Sequence, residues 1–124
     1  MTEPHSPWAK AVGPCFTAAS IARELGWTDE KVTAADTSLT LLGLDTAEGT
    51  RLFPAFQLWN GGPVPGLREV LEVLRTGTES RWTWVQWLNT ALADDGTAHI
   101  ERLRMGDLGG VLLEARHDAW AWSS

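Results

Sequence analysis

Apolar positions fall into short groups, each bounded by a capping or turn residue. Ala18 to Leu25 reads as a helix: Thr17 is an N-cap, Phe16 and Ile21 occupy the staple positions around it, and Gly26 is a natural C′ residue. Trp27 and Thr28 repeat the device, with Thr28 as cap and Trp27 placed to meet Val32. Two short helices around a glycine turn form the helix-turn-helix pattern. Leu39 to Leu44 and Thr50 to Phe53, separated by the turn-rich 45–49, read as a small β-hairpin or wing that Pro54 terminates. Residues 54–59 lead into Asn60-Gly61-Gly62-Pro63-Val64-Pro65, a loop and the best domain boundary.

The second half is patterned for helices. Leu67, Val70, Leu71 and Leu74 share one helical face between Pro65 and Arg75, and Thr76-Gly77-Thr78 breaks it. Residues 79–89 form the next helix with Trp84, Trp87 and Leu88 together, while Trp82 lies about 200° away from Trp84. Thr97 caps a helix holding Ile100 and Leu103 that ends at Gly106. A last helix begins near Asp107 with Leu108, Val111, Leu112 and Ala115 as its apolar stripe. If it continues, Trp122 stays in register with Ala115 and Leu108, and Trp120 turns the other way with Leu113 and Arg116. At least one tail tryptophan is then exposed unless a partner covers it. The expected fold is mainly α: a flexible arm over 1–14, a helix-turn-helix-like domain with its wing over 15–59, and a small helical domain with a C-terminal tail over 60–124.

Composition narrows the function. The chain has 124 residues, 44% of them hydrophobic, which suits one compact unit or two very small ones sharing a core. No apolar run approaches the ~20 residues of a membrane span, and the first residues lack the basic stretch and apolar core of a secretory signal. One cysteine, Cys15, can form neither an internal disulfide nor a zinc site by itself. A soluble, cytoplasmic protein is expected, without membrane contact. The net charge of −6 suits a basic partner and argues against strong autonomous DNA binding, because DNA affinity comes largely from Lys and Arg on phosphates. Eight tryptophans exceed what the core needs; about half belong there, and tryptophan is enriched at binding hot spots.

Catalytic constellations are missing. His5, His99 and His117 form no HxxxH or HExxH arrangement, and His99-Ile100-Glu101 lacks the paired cysteines of a zinc deaminase. Asp94-Asp95 precedes Gly96-Thr97 as a polar loop before a helix cap. The 61–66 loop lacks a Gly-Lys-Ser/Thr ending, and its two prolines remove amide donors. No GxSxG is present. A binding protein is expected, with no enzymatic activity, cofactor or metal.

Phe53-Pro54-Ala55-Phe56-Gln57 resembles the FPAFQF-like signature of the Xre/MbcA/ParS antitoxins, partners of RES-domain toxins. The likeness continues in order: Gly62 to Leu67 resembles their GxVxPGL, Arg81 to Thr90 their tryptophan-rich helix, and Gly96 to Gly106 their GxxPIExLxxG. Val111 to Ala115 resembles their final helix, so the likeness spans roughly residues 16–117. Ala91 and Ala98 stand where the family has proline, which preorganises a helix start. The resemblance implies an antitoxin of a type II toxin–antitoxin system. It would sterically inhibit an NAD-degrading RES-domain toxin, its C-terminal helix and tail blocking the NAD pocket. The implied contact residues are Arg116, His117, Trp120 and Trp122, with Trp82 beside them. Homodimer and hetero-oligomer with the toxin both stay open. Operon autoregulation would place Lys31, Thr28 and Thr33 at DNA, weakly or only in complex, since Lys31 stands alone on the second helix against Asp29, Glu30 and Asp36. The rival reading is a stand-alone MerR- or winged-helix-like transcription regulator.

Overall fold

The computed structural model describes residues 12–91 and 96–124. The expected arm up to residue 11 and the Asp94-Asp95 pair lie outside the described residues. The chain is mainly helical with a small antiparallel sheet.

Strand β1 (Cys15–Thr17) leads directly into helix α1 (Ala18–Leu25), and α2 (Asp29–Thr37) follows after three residues. The caps act as their residue types dictate. Thr17 and Thr28 hydroxyls accept from the Ser20 and Lys31 amides at 3.1 Å, and Gly26 takes the left-handed conformation, φ 70°, that closes α1. Strands β2 (Leu44–Asp45) and β3 (Arg51–Pro54) then form the hairpin. Strand β3 is central in the sheet, with β1 and β2 antiparallel on either side: Phe16 faces Phe53, and Leu44 and Thr17 both face Leu52. That register turns Phe53 into a core with Ile21, Ala22, Val32, Ala35 and Leu41.

Two expectations need correction here. Leu39 to Gly43 is not a strand: Leu39 sits at φ 66°, and the Thr40 and Leu41 amides both donate to the Ala35 carbonyl. A side chain replaces the missing strand partner. Gln57, fully buried, accepts from the Leu42 amide at 2.7 Å and donates to the Leu42 and Pro54 carbonyls at 2.9 Å. The Phe-Pro-Ala-Phe-Gln segment therefore has a structural task, with Ala55–Gln57 as a 3-10 turn. Nor is the 60–65 stretch only a loop. Strands β4 (Leu58–Trp59) and β5 (Gly62–Pro63) pair across Asn60 and Gly61, at φ 53° and 84°. Positive φ at both central residues is the requirement of a type I′ hairpin, which Asn-Gly meets.

Helix α3 (Leu67–Arg75) buries Leu67, Val70, Leu71 and Leu74, the predicted face. Helix α4 (Arg81–Leu88) starts two residues later than expected, capped by Ser80, and buries Trp84, Val85, Trp87 and Leu88. Helix α5 (His99–Arg104) has Ala98, not Thr97, at its cap position; the Glu101 carboxylate accepts from the Ala98 amide at 3.2 Å. Helix α6 (Leu108–Ser123) is capped by Asp107, which accepts from the Gly110 amide at 3.2 Å.

Helices α3 and α6 run parallel side by side. A Cβ on Gly66 would meet Leu108 Cδ1 at 2.7 Å, and one on Gly77 would meet the Ala119 backbone at 2.5–2.9 Å. The inner ridge of α6 is Val111, Ala115 and Ala119, small side chains that let the helices close up. The larger core joins these helices to α4, α5 and the first half, taking in Val12, Leu39, Leu42 and Leu44 with Val64, Leu71, Trp84 and Ile100. Among the described residues no helix is long and apolar enough to cross a membrane.

Candidate functional site

Two surfaces collect the residues singled out by the sequence. One comprises α2 with the β2–β3 hairpin. Asp29, Glu30, Lys31, Thr33, Ala34 and Thr37 face outward on α2. The Thr28 hydroxyl is used as the helix cap, and the Thr33 hydroxyl donates back to the Asp29 carbonyl at 3.1 Å. Lys31 is exposed, its ammonium 4.4 Å from the centre of the Trp27 ring. The hairpin tip adds exposed Asp45 and Glu48, so this surface carries more carboxylate than cation.

Behind it lies an ion-pair cluster that ties the halves together. Asp36, on the inner side of α2, pairs with Arg51 of β3 at 2.8 Å and with Arg81 at the start of α4. Arg81 also donates to the Gly43 carbonyl at 3.1 Å, and Asp36 accepts from the Gly43 amide at 3.2 Å. A Cβ on Gly43 would come within 2.8–2.9 Å of these groups, so the glycine is needed for the close approach. The hydrogen bond to Asp36 holds the Arg51 pKa above its ordinary value, with partial opposition from burial. Trp82 joins this cluster rather than the tail residues. It is half-buried, and its indole N–H donates to the Asp45 carbonyl at 3.3 Å.

The second surface is an open groove of about 620 Å³ between α3 and α6. One wall is Glu69, Glu72, Val73 and Thr76; the other is Leu112, Arg116, Trp120 and Ser123. Trp120 is 69% exposed; Leu113, 66% exposed, lies outside the groove. Glu72 lies 3.5 Å from Arg68 on its own helix. The structure brings Arg116 and Trp120 together in the groove but not the other tail residues. His117 is exposed and its Nδ1 lies 3.2 Å from Asp118. Trp122 is 37% exposed and does not line the groove. Sequence reasoning missed the glutamate wall: Glu69, Glu72, Val73 and Thr76 have helical spacing, but spacing does not say which helix lies alongside.

Inside, Asp118 accepts from the Trp87 indole at 2.7 Å, and Trp87 stacks on His99 with centroids 3.8 Å apart and an 8° tilt. His99 is buried with no hydrogen-bond partner for Nδ1. Burial, then the charge of Arg102, lowers its pKa below the ordinary value, while Asp118 and Glu114 oppose the shift. Among the described residues no three His, Cys, Asp or Glu side chains converge as a metal site.

No family model matches the chain, and no curated protein matches it. Its fold is similar to the solved structure titled "NMR structure of Rv2175c": TM-score 0.68 over 96% of this chain and 85% of that one, at 20% sequence identity. At that identity the likeness concerns the fold alone.

Proposed function

We propose that this chain is a non-catalytic regulatory protein of winged-helix type, with α2 and the β2–β3 hairpin as its DNA-facing surface. The observation that carries the reading is the order β1-α1-α2-β2-β3 closed into a sheet β1-β3-β2. It holds the second of two short helices at the surface beside a hairpin, the geometry in which a recognition helix enters the major groove. Fold alone is analogy, and charge sets its terms. Lys31 is the one outward cation of α2, while Arg51 and Arg81 are committed to Asp36. A free chain so built binds DNA weakly, and a basic partner supplies the missing phosphate contacts.

The test is fluorescence anisotropy with DNA from upstream of the gene, with and without the neighbouring gene product, across 50–200 mM salt. Each neutralised phosphate contributes about −0.9 to the slope of log K against log salt. The free chain should show a slope of about −1 to −2, and the complex a much steeper one. No sequence preference in either form removes the DNA reading.

A second reading is favoured by the exposed Trp120 beside Arg116: the chain is an antitoxin whose α6 docks a RES-domain toxin, as the family resemblance implies. Co-expression with the neighbouring gene product, reading cellular NAD and co-purification, tests it. Trp120→Ala with Trp122→Ala should weaken neutralisation and leave the fold intact. A neighbour that neither binds the chain nor depletes NAD defeats this reading.

A further inference from the structure

We propose that the β4–β5 turn is a site of spontaneous covalent modification: Asn60 deamidates through a succinimide to aspartate and isoaspartate, at a rate set by opening of the turn. The residue after an asparagine decides how easily its main-chain nitrogen reaches the side-chain carbonyl, and Gly61 has no Cβ to obstruct it. Asn60 and Gly61 are both exposed, and a Cβ built on Gly61 meets nothing within 4 Å, so no neighbouring side chain crowds the pair. The other asparagine, Asn89, precedes the β-branched Thr90, which hinders the same approach.

The reaction needs only water and base. The Gly61 nitrogen gives up its proton and attacks the Asn60 side-chain carbonyl carbon. The new N–C bond closes a five-membered ring, the bond to the amide nitrogen breaks, and ammonia leaves with that proton. Water then opens the succinimide at one carbonyl to give aspartate, or at the other to give isoaspartate. Both products place a negative charge next to Trp59, over whose ring Arg104 lies. Isoaspartate also routes the main chain through the side chain and adds a carbon to a two-residue turn, which no longer fits the Trp59–Gly62 and Leu58–Pro63 pairing.

The fold restrains the first step. Asn60 and Gly61 are held at φ 53° and 84°. In a type I′ turn the ψ of the first central residue is about +30°, which points the next nitrogen away from the side chain. The turn must open before the ring can close.

The test incubates the full chain at 37 °C and pH 7–9 beside a free peptide of residues 52–68, which is also the tryptic fragment that carries Asn60. Peptide mass spectrometry with electron-transfer fragmentation follows both. The amide-to-acid mass gain should appear at Asn60, rise with pH and yield both isomers. It should be roughly tenfold slower in the full chain than in the free peptide, as for a surface turn that opens locally at small cost. The buried Gln57 in the same fragment should stay unmodified. Asn60→Gly, which keeps a turn-compatible pair, should abolish the gain. A chain unmodified at Asn60 while the peptide reacts overturns the proposal. So do equal rates in chain and peptide, a gain that persists in Asn60→Gly, or a gain at Asn89 in place of Asn60.

Discussion

Gln57→Met tests whether one side chain substitutes for a strand. Methionine matches glutamine in length and nearly in volume, so the substitution removes three hydrogen bonds without opening a cavity. The Leu42 amide and carbonyl and the Pro54 carbonyl lose their Gln57 partner beneath a fully buried side chain. A typical hydrogen bond contributes about 1 kcal/mol net, and a buried group left unpaired costs about 1–3 kcal/mol. Three such groups put the loss at about 3–9 kcal/mol, a large part of the ~5–15 kcal/mol stability of a domain. Urea unfolding, followed by tryptophan emission and far-UV circular dichroism together, measures it. Gln57→Glu keeps an acceptor for the Leu42 amide but cannot donate while ionised. It should be destabilising at pH 7 and partly recover as the pH falls and the buried carboxyl protonates. A Gln57→Met change below ~1 kcal/mol, with an unaltered urea slope, refutes the reasoning.

Gly77→Ala places a methyl group against the Ala119 backbone, which cannot yield as a side-chain end can; a loss of about 1–3 kcal/mol is expected in denaturant. A variant as stable as the parent shows that α3 and α6 are not in such close contact there. Burial lowers the His99 pKa in the folded chain, while the unfolded chain protonates it near the ordinary histidine value of about 6.5. Its contribution is therefore complete above that pH and declines below it, by at most ~1.4 kcal/mol per pH unit, until the lowered folded value is reached. His99→Phe should flatten that part of the stability–pH curve; an identical slope in the variant means that His99 is not the group responsible. Asp36→Asn and Arg81→Met, singly and together in a double-mutant cycle, should show coupling of about 1 kcal/mol between α2 and α4. Strict additivity would mean that the ion pair does not join the halves.

Local signals were legible in the sequence, and spatial ones were not. The Thr17 and Thr28 caps, though not the one expected at Thr97, the Gly26 stop, the apolar face of α3 and the outward turn of Trp120 with Leu113 follow from residue type and helical period. The misreadings share a cause. Leu39 to Leu44 has a strand-like composition, but the partner of Leu42 is a side chain fifteen positions away. Strand β1 was missed because three residues find their partner only at Leu52 to Pro54, far along the chain. The β4–β5 hairpin carried a usable local signal in Asn60-Gly61, outweighed by the prolines that follow. The side of the last helix that carries Arg116 and Trp120 was readable, but the Glu69 and Glu72 wall facing it was not, because periodicity gives the faces of a helix and not its neighbours.

The parallel pairing of α3 and α6 has a consequence for how the chain acquires its structure. Val111 and Ala115 of the inner ridge complete a core whose other members, from Val12 to Leu103, all precede them along the chain. Contacts so distant along the chain carry a loop-closure cost and slow folding. During synthesis the apolar face of α3 stays uncovered until α6 has been made as well. Stop codons that remove α6 to delete its outer face also remove the lid of the core. Point changes at the exposed Leu113, Arg116 and Trp120 alter the outer face and leave the buried ridge in place.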